Sequence, residues 1–311
     1  GMAGIAIDEA YDGAGLGDLG RVVVMEELGA SLCSIPFSPT GTIAADMISA
    51  FGTDKAKEML LAKIASGETI TAYTDGHAAL SQNADTLSGR VNNVLYGAQA
   101  DLLLMSFRVD RKIQLIGIPK GTGGFSSVAI QTMDPTRSFS NVILDKVALD
   151  DVLVLGEGDL AAFDAIVKTS FIGLAAECVG GAQACLDMTV EYASQRVQFG
   201  RPIASFQAIK HRLADMMVLN EAAKSAAWYA ACAADESPEE LPVAAATAMI
   251  VTSRALKRNS KNMIQLHGGM GFTWECDAHL FLKRAEYSSR ILGSENCRRS
   301  LSALAGFSGH R

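Results

Sequence analysis

Positive charge gathers in one short stretch of an otherwise acidic chain. Between Tyr192 and Met217 the sequence reads YASQRVQFGRPIASFQAIKHRLADMM, with Arg196, Arg201, Lys210 and Arg212 close together. Arginine can grip a pyrophosphate with paired donors, and backbone N–H groups freed at a helix break add to such a site. The break is Phe199-Gly200-Arg201-Pro202. Gly supplies backbone freedom there and Pro cannot continue a helix. The chemistry these residues imply is retention of a phosphate-bearing cofactor. Taken alone, they equally describe a bundle corner with a solvated basic face, and on these residues by themselves that plainer reading leads.

Two helices must position such a break. After it, Phe206, Ile209, Leu213 and Met216 recur at helical spacing and form one apolar stripe. From Leu160 onward the period predicts four long helices, at about 160–195, 203–235, 239–266 and 275–291, and a short one near 295–305. Pro238 followed by Glu239-Glu240 suits the start of the third. Long helices with short connections indicate a bundle. Residues 69–157 change period. Thr69–Thr74, Asp101–Val109, Lys112–Pro119, Ser126–Met133 and Asn141–Leu144 are short, β-rich and separated by turn formers, as in a small sandwich or barrel. No βαβ pattern is present, which argues against a nucleotide-binding parallel sheet. Residues 1–68 read as mostly helical, with helices over Leu19–Leu28, Thr42–Phe51 and Asp54–Ala65, the last with Asp54 as a possible N-cap. Tyr11–Gly17 reads as a flexible loop and does not match GxGxxG. The expected architecture is α+β and multidomain: a helical domain over 1–68, a β domain over 69–158 and a C-terminal helical bundle over 159–311.

Composition bounds the function. The chain has 311 residues, 49% hydrophobic and 20% charged, enough for two or three domains with large cores. A net charge of −7 and a pI near 5.3 argue against general nucleic-acid or membrane-surface binding. No apolar run reaches the roughly 18 residues a membrane span needs. Gly1-Met2 reads as a cloning scar before a native Met. The six cysteines, at 33, 178, 185, 232, 276 and 297, show no CxxC spacing. Buried free thiols in a reducing cytoplasm are expected, and no metal site.

Two motifs resemble the acyl-CoA dehydrogenase family, and the resemblance covers nearly the whole chain. The first is Arg196-Val-Gln-Phe-Gly-Arg-Pro-Ile, then Phe206-Gln207, then Leu213-Ala-Asp-Met. The second is Gln265-Leu-His-Gly-Gly-Met-Gly-Phe-Thr-Trp-Glu275. The resemblance implies that family's fold, with a shortened helical start and a C-terminal four-helix bundle. It also implies FAD-dependent α,β-dehydrogenation of an acyl-CoA thioester, as in fatty-acid or steroid side-chain β-oxidation. In the family the first motif reaches across a dimer interface to the FAD of the neighbouring subunit. Arg196, Gln198 and Phe199 match those contacts, as do Gln265, Gly268 and Gly269. The second motif's Glu275 reads as a structural or capping acid.

The residues that would serve the chain's own flavin match less well. The family's Thr-Glu-Pro corresponds here to Thr74-Asp75-Gly76-His77, so Thr74 keeps one contact at most. The family's Trp-Ile-Thr corresponds to Asn93-Val94-Leu95, and a leucine cannot hydrogen-bond the flavin. The family's catalytic base is a Glu before a Gly, matched here by Leu292-Gly293; a minority of members place it where this chain has Ser170. Neither can accept a proton. The family's CoA-binding Arg is matched by Phe171. Glu177, about two turns or roughly 10 Å from Ser170, and Glu295 are weak substitutes, with Asp75 weaker still. Some bacterial members are heteromeric, with one subunit holding the base and the other completing the flavin site. The chain fits the second role, as a homo-oligomer or as a heteromer with a full acyl-CoA dehydrogenase subunit. The alternatives are a non-catalytic acyl-CoA-binding or assembly homologue, and a flavin enzyme of altered chemistry. The Ala- and Gly-rich stretch at Gly173, Ala175, Ala176, Gly180 and Gly181 would line an acyl pocket, but tight helix packing is the preferred reading.

Overall fold

The computed structural model describes residues 1–75, 80–83, 85–110 and 112–291. They fall into two compact units, Gly1–Gly20 with Ser34–Ser170, and Arg21–Cys33 with Phe171–Arg311. The chain order is helices, strands, helices, as the periodicity predicts.

In the first unit, helix α1 (Gly17–Ala30) begins, and helices α2 (Ala45–Phe51) and α3 (Asp54–Ser66) follow. A stretch of π-helix, Ser38–Ala44, leads into α2. The N-cap of α3 is Thr53, not Asp54: the Thr53 hydroxyl accepts the Ala56 N–H, and Asp54 sits in the first turn, where its charge faces the helix dipole. Gly67 closes the helix at φ 82°. The Tyr11–Gly17 segment is pinned, not loose. The Gly15 N–H bonds the Ile7 carbonyl at 2.9 Å, and a Cβ on Gly13 would lie 2.0 Å from that same oxygen.

Eight strands of this unit make two sheets: β1 (Thr71–Asp75), β2 (Leu80–Gln82), β3 (Thr86–Leu95), β4 (Leu102–Val109), β5 (Lys112–Pro119), β6 (Phe125–Ile130), β7 (Phe139–Ala148) and β8 (Leu153–Asp159). One sheet runs β1-β4-β5-β8, with β1 and β4 parallel; the other runs β2-β3-β7-β6 and is antiparallel. Leu103, Met105, Ile116 and Ile118 of the first pack with Leu87, Val91, Val142 and Leu144 of the second, so the β region is a sandwich. On the other face of the first sheet, Leu102, Leu104, Ile113 and Leu115 pack on Ile48, Phe51, Leu61 and Ile64 of the helices. A sheet covered on both faces explains why Leu102–Met105 is continuously apolar instead of alternating.

Periodicity missed β2, β3 and β8. Strand β3 carries Gly89, Asn92 and Asn93, and its register with β7 shifts between Val91 and Val94, where Asn93 adopts φ 59°. A bulge of this kind reads as a turn in sequence. In β8, Gly156 and Gly158 are packing glycines. A Cβ at Gly156 would lie 1.7 Å from the Phe51 carbonyl oxygen, and one at Gly158 would strike the Phe51 ring.

The second unit is the bundle: α4 (Leu160–Gln195), α5 (Gln207–Glu236), α6 (Leu241–His267) and α7 (Ala278–Ile291), with the first part of α4 belonging to the first unit. The helix expected near 295–305 lies outside the described residues. Cys178, Cys185, Met216, Met249, Met263 and Phe281 fill its core. Asn259, buried on α6, donates to the Ala182 and Met216 carbonyls at 3.1 and 3.2 Å and so ties α6 to α4 and α5. The small residues of α4 serve packing, as preferred. A Cβ on Gly180 would sit 1.8 Å from the Glu26 carbonyl oxygen, and one on Gly29 would sit 2.0 Å from that of Glu177. Helices α1 and α4 therefore touch backbone to backbone. The five described cysteines are free. No helix among the described residues is long and apolar enough to cross a membrane, and none of their His, Cys, Asp and Glu side chains cluster to hold a metal ion.

Candidate functional site

The expected break after α4 is a hairpin. Val197–Gln198 (β9) pairs antiparallel with Arg201–Pro202 (β10), and Phe199 and Gly200 form the two-residue loop at φ 54° and 74°. Two positive φ values match the twist of the strands, which is why such loops favour Gly at one position. The Arg196 N–H still bonds the Tyr192 carbonyl at 2.8 Å, and the Arg196 carbonyl accepts the Ile203 N–H at 2.8 Å, closing the hairpin. Phe199 is 93% exposed; its ring meets the edge of Phe206 at 6.2 Å. The Arg201 guanidinium lies 4.2 Å over Phe206. Arg196 and Gln198 are exposed, with Gln198 donating to the Val197 carbonyl at 2.9 Å.

The second motif begins inside the last turn of α6. Gln265 is exposed, and Gly268 ends the helix at φ 62°, ψ −137°, a conformation that demands glycine. A Cβ at Gly268 or Gly269 would meet nothing within 4 Å, so internal packing does not require the glycine at 269. Gly271 differs, since its Cβ would lie 3.0 Å from Ile264. Beyond it, Phe272 and Trp274 are 70% and 78% exposed, and Lys283 sits 5.0 Å from the Trp274 ring. Glu275 is exposed.

One contact joins the two motifs. The ring of Tyr192, four residues before Arg196, stacks on His267 at 4.3 Å with planes 20° apart, and its hydroxyl donates to the His267 carbonyl at 3.4 Å. His267 is buried, its Nδ1 2.8 Å from the Met263 carbonyl oxygen. It therefore holds the glycine loop beside the hairpin and is not presented to a ligand. Sequence reasoning placed His267 in a functional motif but missed Tyr192; an aromatic one turn before the arginine was the available signal.

The other candidates are dispersed. Thr74 is half-buried on β1, opposite Met105 of β4. Beside it, Tyr73 pairs its hydroxyl with Ser106 Oγ at 2.8 Å, and burial pushes that phenol up to about 12, so it stays neutral. Leu95 lies on β3 opposite Phe139. Ser170 is buried, donates to the Ile166 carbonyl at 2.9 Å, and has Asp46 Oδ2 of α2 at 3.5 Å. That carboxylate was not foreseen, because 124 residues separate the pair. Glu177 is buried and ion-paired to Arg284 of α7 within the bundle. Leu292, Gly293 and Glu295 lie outside the described residues, as do Gly76 and His77.

A glycine loop held beside an exposed arginine hairpin is suited to a phosphate-bearing cofactor. Comparison with known proteins makes that specific. Residues 1–68 match the N-terminal domain of acyl-CoA dehydrogenases and residues 168–306 the C-terminal domain. The chain belongs to the acyl-CoA dehydrogenase family, flavoprotein oxidoreductases that act on CH–CH bonds of acyl-CoA thioesters with FAD. It is 35% identical over 296 residues to acyl-CoA dehydrogenase IpdE2 of Mycobacterium tuberculosis, covering 94% of this chain and 80% of that one. Butyryl-CoA dehydrogenase from Megasphaera elsdenii superposes with a TM-score of 0.87 at 27% identity, over 98% of this chain and 87% of that one. The ChsE4–ChsE5 complex from Mycobacterium tuberculosis contains a chain matching with a TM-score of 0.87 at 25% identity, over 99% and 86%.

The residues present fit a dinucleotide. Exposed Arg196 offers paired donors to a diphosphate. The open flank of Gly268 and Gly269 leaves room that a side chain would fill, and Phe199 offers an apolar ring outside the chain's own core.

Proposed function

We infer that this chain is the subunit of a heteromeric acyl-CoA dehydrogenase that completes the FAD site of a full-length partner. The observation that carries the reading is the Tyr192–His267 stack, which fixes both motifs side by side while Arg196, Gln198, Phe199 and Gln265 all remain exposed. Residues held in place yet turned to solvent are suited to a ligand seated on another chain. Exposed Phe199, Phe272 and Trp274 support an oligomer, since large rings left uncovered on both motifs suit burial against another chain. A match to a complex of two named components, ChsE4 and ChsE5, is consistent with assembly from unlike subunits.

In this reading FAD supplies the hydride acceptor for the β carbon of the acyl-CoA. Arg196 neutralises the diphosphate, Gln198 and Gln265 orient the dinucleotide, Phe199 packs on its adenosine end, and Gly268-Gly269 lets backbone come close. The α proton is taken by a carboxylate of the partner. Ser170 cannot take it, and Glu177 already serves as the counter-ion of Arg284. Free thiols suit a cytoplasmic setting. The test is an absorption spectrum of the purified protein, alone and mixed with a full-length acyl-CoA dehydrogenase subunit, with sedimentation of both samples. The expected result is at least a dimer through the bundle, little bound flavin and little turnover alone, and both flavin and turnover in the mixture. A stable monomer at micromolar concentration, or robust acyl-CoA oxidation by the pure chain, overturns it.

A further inference from the structure

Charge is segregated within the bundle. Helices α6 and α7 carry Arg254, Lys257, Arg258, Lys261, Lys283, Arg284 and Arg290 against a single acid, Glu286, in a chain of net charge −7. Lys257 has Glu286 as its counter-ion at 2.9 Å, and Arg284 has Glu177. Arg254, Arg258 and Lys261 are exposed, and no ion pair among the described residues holds them.

Arg254, Arg258, Lys261 and Gln265 follow one another at i, i+4, i+7 and i+11. At about 100° per residue they fall in one stripe about 60° wide. Gln265 is exposed like the three cations, and Val243, on the same line nearer the start of α6, is 49% exposed. Beside the stripe a groove of about 340 Å³ runs from Ile250 to Lys261 along α6, with Ser289 of α7 on its far side, and no acid lines it. Like charges three and four residues apart on a helix repel each other, so the stripe costs stability in the isolated subunit. Such a cost is recovered where the charges meet an opposite face in an assembly.

The stripe also leads somewhere. Gln265 carries it into the glycine loop, the part of the chain read above as turned to the partner's flavin. Arg254 lies about 16 Å up the helix axis from Gln265, beyond reach of a group bound there, yet on the surface a partner covers when it seats its flavin at Gln265. A second copy of this chain is a poor occupant. In a two-fold contact the stripe would meet itself, and like charge set against like charge is how interfaces reject a wrong partner.

We propose that the cationic stripe of α6 docks an acidic face of the unlike acyl-CoA dehydrogenase subunit, so that charge selects the heteromer over self-pairing at this position. This rests on the heteromer reading above and adds the chemistry of the partner's surface.

The full chain is mixed with the full-length acyl-CoA dehydrogenase subunit that restores flavin in the spectral experiment, and assembly is followed by stopped-flow light scattering at low and high salt. Arg254→Glu/Arg258→Glu and the milder Arg254→Gln/Arg258→Gln are run beside the parent, with thermal melts to check folding and sedimentation to read self-association. The expected result is an association rate that falls with salt, a loss of about tenfold or more at low salt in the double charge reversal, a smaller loss in the glutamine pair, and self-association no weaker than the parent's. At subunit concentrations high enough to force assembly, FAD affinity should match the parent. Association of the double reversal at the parent rate, or a rate indifferent to salt, overturns the proposal and leaves the heteromer reading in place. So does normal assembly with weakened FAD affinity, which assigns the cations to the flavin. Loss of self-association also overturns it, making the stripe a contact between copies of this chain. Failure of the parent chain itself to assemble overturns the heteromer reading and the proposal with it.

Discussion

Glu177→Gln separates a structural carboxylate from a catalytic one. Glu177 and Arg284 are both buried, about 6% and 3% exposed, and they form an ion pair between α4 and α7. An ion pair in contact gains on the order of 4 kcal/mol at an effective dielectric near 20, and desolvation of the two charges offsets much of that. The whole pair is therefore close to neutral against an apolar replacement of the same size. Removing one partner is different, since it takes the Glu177 counter-charge from a buried guanidinium and typically costs about 3–5 kcal/mol. Glu177→Gln should destabilise the bundle by roughly that amount, and Arg284→Met alone by a similar amount. Glu177→Leu/Arg284→Met should recover most of the loss, giving a large coupling energy in the cycle. Urea unfolding followed by far-ultraviolet circular dichroism reads all four proteins. Unchanged stability in Glu177→Gln, together with loss of acyl-CoA oxidation by the assembled complex, would mean that the carboxylate moves a proton and that its structural assignment is wrong.

Four further outcomes follow from the same geometry. Gly180→Ala should disrupt the α1–α4 contact by more than about 1–3 kcal/mol, because the new methyl meets the Glu26 backbone and not a movable side chain. Gly269→Ala should leave thermal stability within about 0.5 kcal/mol yet lower the flavin content of the complex. His279 is buried, and desolvation lowers its pKa below the usual 6.5. The unfolded chain therefore binds the proton first, so stability should be full above about pH 6.5 and fall as the pH drops below it; His279→Asn should flatten this dependence in urea titrations. Asp46→Asn, beside Ser170, should leave turnover of the complex unchanged; a loss of about a hundredfold or more would make Asp46 a proton acceptor in this chain.

The fold was legible because its two periodicities are clean. The bundle helices were placed to within a few residues, since each is a long run bounded by clear breaks at Phe199–Pro202, Pro238 and the glycines after His267. Two of the three missed strands failed for local reasons. In β3 the Gly and Asn residues make a bulge, and in β8 the glycines admit Phe51. Both uses of small residues look like turns when only one dimension is read. At the site, the residue types of both motifs were readable. Their joining by Tyr192 and His267 was not, because stacking across 75 residues leaves no trace in spacing. Asp46 beside Ser170 was invisible for the same reason.

The central claim is that this chain's hairpin serves a flavin on another subunit. The direct test is the flavin content and turnover of the complex with a full-length acyl-CoA dehydrogenase subunit, assembled with Arg196→Ala and, in parallel, with Leu292→Ala. Arg196 is exposed and carries no internal ion pair among the described residues, so its removal should leave assembly intact. Loss of a charged hydrogen bond to a diphosphate costs about 1.5–3 kcal/mol, or roughly tenfold to a hundredfold in FAD affinity. Arg196→Ala should therefore lower flavin occupancy and activity together, while Leu292→Ala leaves both almost unchanged. Full flavin content with Arg196→Ala and abolished turnover with Leu292→Ala would contradict the division of labour.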